Sequence, residues 1–194
     1  MTEPFFAASG VAGAVLAVSV ALFAIGELQQ AVRTRGGASR SRFGDEAAFR
    51  AIFFAGILVL PSCLRFLPQA DIGGAAIFVI GAVVGWLGLL LRWWAFVALG
   101  RYFTTVVQVS ADQPIIDRGP YRFVRHPGYS GLIVAFLGCG LMLGNWAAAV
   151  ISAALIAAGL IVRLLREERA LVAMRGSAYR DYAKGRARLL PFIW

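Results

Sequence analysis

Histidine, cysteine and charge are all scarce in this chain. Its 194 residues include one histidine, His126, and two cysteines, Cys63 and Cys139. A single histidine excludes a multi-histidine metal site, so no metal is expected. Two cysteines inside apolar runs exclude a disulfide framework. Charged residues make up 15% of the chain and hydrophobic ones 60%, whereas a soluble domain carries roughly 25% and 45–50%. The mean hydropathy of +0.75 agrees. These figures exclude an ordinary soluble enzyme and predict an all-α integral membrane bundle. The length leaves room for one membrane domain over 1–194, and none for a large soluble catalytic domain beside it. There is no internal repeat and no low-complexity tract.

The charge that is present is mostly positive: 19 Lys+Arg against 10 Asp+Glu, a net of +9. Nucleic acid is not the expected partner, because these residues lie between apolar segments and not on a separate polar module. That placement favours membrane topology.

Pro4 to Gly26 is an uncharged run of 23 residues, about 34 Å as a helix. Glu3 ahead of it, with no Lys or Arg, argues against a cleaved signal peptide, so a first membrane helix is expected. Arg33, Arg35, Arg40 and Arg42 mark a polar loop. Ala51 to Leu64 holds only 14 uncharged residues and Pro61. It reads as a short, kinked crossing extended to Leu67, with a re-entrant segment as the competitor. Ile72 to Leu91 is a third helix, followed by Arg92 and the Trp93-Trp94 pair expected at a headgroup boundary. Pro127 to Val162 is uncharged for 36 residues, about 54 Å as one helix against a hydrocarbon core of about 30 Å. Gly144-Asn145 near its middle is therefore expected to split it into a tight hairpin.

Five transmembrane helices result, three in residues 1–91 and the hairpin within a functional region over 92–194. The loops at 33–50, 92–125 and 163–188 then fall on one side with 18 of the 19 basic residues. Such a bias makes that side cytoplasmic. Function is expected in two polar segments that share it: Gln108 to Tyr129, and Arg163 to Arg169 at the end of the last helix.

Several residues there have two readings. His126 is the only side chain titrating unperturbed near neutral pH, but it also precedes Pro127 at a helix start. Arg163 and Glu167 are four apart and form an ordinary ion pair on one reading; on the other they are functional charges where a span meets water. Tyr121, Tyr129, Tyr179 and Tyr182 fit interface anchors as well as site residues.

Taken in order, Gly119-Pro120-Tyr121, Arg125-His126-Pro127-x-Tyr129-x-Gly131, Arg163-x3-Glu167-Glu168, Gly176-x2-Tyr179-x2-Tyr182 and Arg188-x2-Pro191 resemble the isoprenylcysteine carboxyl methyltransferase family. The family belongs to a wider group of membrane methyltransferases that includes phospholipid amine methyltransferases. The resemblance covers roughly residues 92–194. It implies S-adenosylmethionine as cofactor, a cytoplasm-facing pocket, and a lipophilic or prenylated substrate entering from membrane lipid. By position it implies cofactor contacts at Gln108, Gln113, Pro114, Ile115, Ile116, Tyr121, His126, Pro127, Gly128, Tyr129 and Glu167. Gln113 stands where the family has a histidine. Arg163 matches the arginine that meets the substrate, and with Glu168 it is the catalytic candidate.

The chemistry agrees with those roles. A sulfonium is a cation and suits a nearby carboxylate such as Glu167, and an arginine fork suits an anionic acceptor. A carboxylate acceptor, with a pKa of about 4, is already ionised near neutral pH and needs no general base. An amine or thiol acceptor, on a phospholipid or a small molecule, would instead give Glu168 or His126 a base role. A sterol-type reductase using NADPH shares the His-Pro-x-Tyr segment and an ending like Leu190-Pro191-Phe192-Ile193-Trp194, but the paired Glu167-Glu168 argues for methyl transfer. A non-enzymatic scaffold or transporter subunit is the remaining class, and the few charges within the spans give no sign of an ion path.

Overall fold

Where water is absent a backbone satisfies itself only as a helix or a closed barrel, and long Ala-, Leu- and Gly-rich runs take the first course. The computed structural model describes residues 4–33, 43–100 and 115–191. Its helices are α1 (Phe5–Ala8), α2 (Gly10–Arg33), α3 (Phe43–Phe66), α4 (Ala75–Leu99), α5 (Pro127–Met142), α6 (Trp146–Arg175) and α7 (Ser177–Ala183). Among the described residues, four stretches are long and apolar enough to cross a membrane: Gly10–Gln30, Phe49–Phe66, Ala75–Leu99 and Trp146–Arg175. The fifth apolar helix, α5, has 16 residues, about 24 Å.

The helices run past the limits expected from charge. α4 continues through Arg92 for two more turns to Leu99, and α6 continues beyond Arg169 to Arg175. A charged residue ends an uncharged run without ending a helix, since arginine is a good helix former. The short second run lies inside a 24-residue helix that contains Pro61. The first run is broken near its start, where Ser9 separates α1 from α2.

The expected break at Gly144-Asn145 is present. Gly144 has φ +70°, a left-handed turn that glycine takes without penalty. Asn145 caps α6, its side-chain oxygen accepting from Ala148 N at 2.9 Å while Nδ2 donates to Leu67 O at 3.0 Å. Ile72 N donates to Gly144 O at 2.8 Å. The α3–α4 and α5–α6 connections are thereby tied together at one end of the bundle.

Small residues set the closest packing. A methyl on Gly138 would come within 2.2 Å of Gly85 N, and one on Gly88 within 2.4 Å of Ala135 N. The α4 and α5 backbones therefore touch, the kind of approach by which helices associate in lipid. Leu60, Leu132, Phe136, Ile156 and Leu160 form the core between α3, α5 and α6. Outside it Val11, Val18, Ile25 and Leu28 on α2, and Val79, Val83 and Leu87 on α4, are exposed. An apolar exterior of this kind suits hydrocarbon surroundings.

Candidate active site

At the end of the bundle away from Asn145, the start of α5 meets the polar half of α6. Proline fits the first turn of a helix because its missing N–H has no intrahelical partner there, so α5 opens at Pro127 with His126 as the preceding residue. The segment before it is folded by Pro120 into a 3-10 turn, Gly119–Arg122. The chain after α7 returns alongside. Ala187 O accepts from Arg125 N at 2.9 Å, Arg188 O from His126 N at 3.0 Å, and Leu189 O from Ser130 Oγ at 2.5 Å. These bonds strap the tail across the start of α5.

Tyr129 stands at the centre. Its hydroxyl donates to Glu167 Oε2 at 2.8 Å and accepts from Arg163 Nε at 3.1 Å. Arg163 and Glu167, a turn apart on α6, are thus joined through a third residue, which the plain ion-pair reading did not anticipate. The His126 ring lies parallel to the Tyr129 ring, with centroids 5.4 Å apart. The Arg163 guanidinium also stacks on Phe49 of α3 at 4.8 Å, a contact favoured electrostatically. Glu167 keeps 32% of its side chain exposed while His126 keeps 7%. Of the two, the carboxylate is the one open to a ligand.

Glu168, on the other edge of the His126 ring, is buried. Arg125 Nη1 donates to it at 2.7 Å, Arg188 Nε at 3.0 Å and the Tyr179 hydroxyl at 3.5 Å, and His126 Nε2 lies at 3.3 Å. Four groups from three parts of the chain converge on one carboxylate. The Tyr182 hydroxyl donates to Tyr121 O at 3.0 Å, and Arg186 pairs with Asp117 at 2.8 Å. The hydroxyls of Tyr129, Tyr179 and Tyr182 are thus all engaged within the protein. Burial, then the charge of Glu167, raises the Tyr121 hydroxyl above its ordinary range. Burial pushes Tyr182 up to about 12 against the opposing charge of Arg186. Both remain neutral hydrogen-bonding groups.

Of the expected site residues, Tyr121, His126, Pro127, Gly128, Tyr129, Arg163, Glu167 and Glu168 are gathered here. Ile115 and Ile116 are half-buried in the non-helical approach to the 3-10 turn. Gln108, Gln113 and Pro114 lie outside the described residues. Arg92 was expected to open the polar segment that follows the third helix. Instead it is buried, holds both oxygens of Glu27 and donates from Nη1 to Gly128 O at 2.8 Å. Its one signal in the sequence is an arginine followed by further apolar helix.

The arrangement offers a half-open carboxylate, an aromatic stack and an arginine within one small space. It suits a cation beside an anion.

The fold matches a solved structure of a eukaryotic intramembrane Ras methyltransferase, isoprenylcysteine carboxyl methyltransferase, with a TM-score of 0.68 and 20% identity over 92% of this chain and 67% of that one. A probable protein-S-isoprenylcysteine O-methyltransferase of Oryza sativa subsp. indica is 34% identical over 116 residues, 59% of this chain. The matched part spans 61% of that relative's length. Methanethiol S-methyltransferase 1 of Bradyrhizobium diazoefficiens is 38% identical over 72 residues, 37% of this chain and 24% of that protein. Residues 79–173 match the profile of the Isoprenylcysteine carboxyl methyltransferase (ICMT) family.

Proposed function

We propose that this protein is an S-adenosylmethionine-dependent membrane methyltransferase whose acceptor is the carboxylate of an isoprenylcysteine or a similar lipophilic acid. The observation that carries the reading is the Tyr129 hydroxyl joining Arg163 to Glu167. An anion-binding group and a cation-binding group are held a few ångströms apart at one end of a long apolar helix.

The residues present fit the donor. Its cationic centre is matched by the exposed oxygen face of Glu167, and the His126–Tyr129 stack supplies an aromatic wall of the kind that attracts cations. When bound, S-adenosylmethionine supplies an activated methyl group. The chain's own residues supply placement. Arg163 binds the acceptor carboxylate and turns it, and Phe49 behind the guanidinium limits where that fork can point. Tyr129 fixes the spacing between the two charged groups, and such positioning accounts for much of the acceleration of a reaction between two held partners. Glu168, with four neighbours already on its oxygens, positions His126 and the tail.

In the bilayer we place five crossings, with α5 and α6 as a hairpin and the site toward the cytoplasm. The bias of basic residues supports this orientation. A second reading keeps the donor and replaces the acceptor by a small thiol, favoured by the likeness to a methanethiol S-methyltransferase.

Titration calorimetry with S-adenosylmethionine and with NADPH, on protein purified in detergent, tests the reading. Binding of the sulfonium donor is expected, and binding of NADPH alone overturns it.

A further inference from the structure

Glu27 and Arg92 are opposite charges placed in two apolar helices, α2 and α4. The Arg92 guanidinium grips Glu27 with Nε and Nη2 at 2.5 and 2.7 Å, and lies over the Phe96 ring at 4.7 Å. Its remaining nitrogen, Nη1, donates to Gly128 O at 2.8 Å. A buried arginine is costly to desolvate, and here it also faces the first turn of α5, the positive end of that helix's dipole. Packing does not require it, because α4 and α5 already meet through glycines. Glu27 neutralises the charge. What the arginine then adds is one directed hydrogen bond to a peptide of the His126–Tyr129 turn. Its charge also acts on the Tyr121 hydroxyl, in opposition to Glu167. Arg92 therefore lies just behind the wall of the site.

We infer that Arg92, held in place by Glu27, is a positioning residue of the donor pocket. Its bond to Gly128 O fixes the His126–Tyr129 turn against α4, and through it the Tyr129 hydroxyl. This inference rests on the methyl-donor reading above. It adds α2, a helix otherwise at the margin of the bundle, to the parts on which donor binding depends.

A charge swap separates positioning from plain helix-to-helix adhesion. In the double variant Glu27→Arg with Arg92→Glu the ion pair is restored, but residue 92 no longer carries a donor for Gly128 O. The unfolding temperature in detergent should stay near that of the unaltered protein, while the dissociation constant for S-adenosylmethionine rises about tenfold, as for loss of one buried hydrogen bond. A rise of more than threefold supports the inference. If the folded swap binds within threefold of the unaltered protein, the pair is adhesive only and the inference falls. Should the swap fail to fold, Arg92→Lys with Glu27 retained is read by the same threshold, since an ammonium lacks the fork needed to hold both partners. Failure of the unaltered protein to bind the donor is a separate result, and it removes the functional reading itself.

Discussion

Arg163 and Glu167 meet through one phenol: the Tyr129 hydroxyl accepts from the arginine at 3.1 Å and donates to the carboxylate at 2.8 Å. Loss of that oxygen should separate the two charges without emptying the core. Tyr129→Phe is expected to fold and to bind S-adenosylmethionine about tenfold more weakly, equivalent to roughly 1.4 kcal/mol. Glu167→Ala and His126→Ala should weaken it comparably. Calorimetry on the three variants checks this, and unchanged affinity in all of them would leave the cluster a purely structural network.

Arg163→Lys distinguishes the acceptor classes. A lysine keeps the charge but loses the planar fork. Turnover of a farnesylcysteine carboxylate should fall at least tenfold, while donor affinity changes little. If the acceptor is a small thiol, the lysine variant should be nearly silent in a methylation assay with that thiol.

Glu168→Gln removes the charge that Arg125 and Arg188 share. Breaking a buried pair from one side costs about 3–5 kcal/mol, so the unfolding temperature should drop by several degrees. The strap 184–191 should also become the first site of proteolysis. A variant as stable and protease-resistant as the original would refute the clasp described for Glu168.

Orientation is tested by cysteines introduced at positions 38 and 112 in sealed vesicles of known sidedness. Both should react with an impermeant maleimide from the cytoplasmic side. Labelling of either from the outer side alone would invert the proposed topology.

The helix break at Gly144-Asn145 was legible in the sequence because no single helix of that length fits a bilayer. Most of the candidate residues that the structure brings together stand in ordered motifs at the start of α5 and the end of α6. Their wiring was not. Glu168 draws its neighbours from residues 125, 126, 179 and 188, and no spacing rule connects these. Arg92 was misread for a similar reason. An arginine after an apolar run looks like the start of a loop until its partner is known, and Glu27 lies on a different helix. The ends of α4 and α6 were misplaced because charge marks where an uncharged run stops, not where hydrogen bonding stops.

The backbone contact between Gly138 and Gly85, with Gly88 against Ala135 a turn along, has a mechanical consequence. Two helices that touch at this range cannot roll past each other without colliding, so α4 and α5 act as one stiff beam. That beam runs from the Gly144 turn, anchored by Ile72, to Gly128, anchored by Arg92. Any opening that admits a greasy acceptor must therefore take place outside this pair of helices.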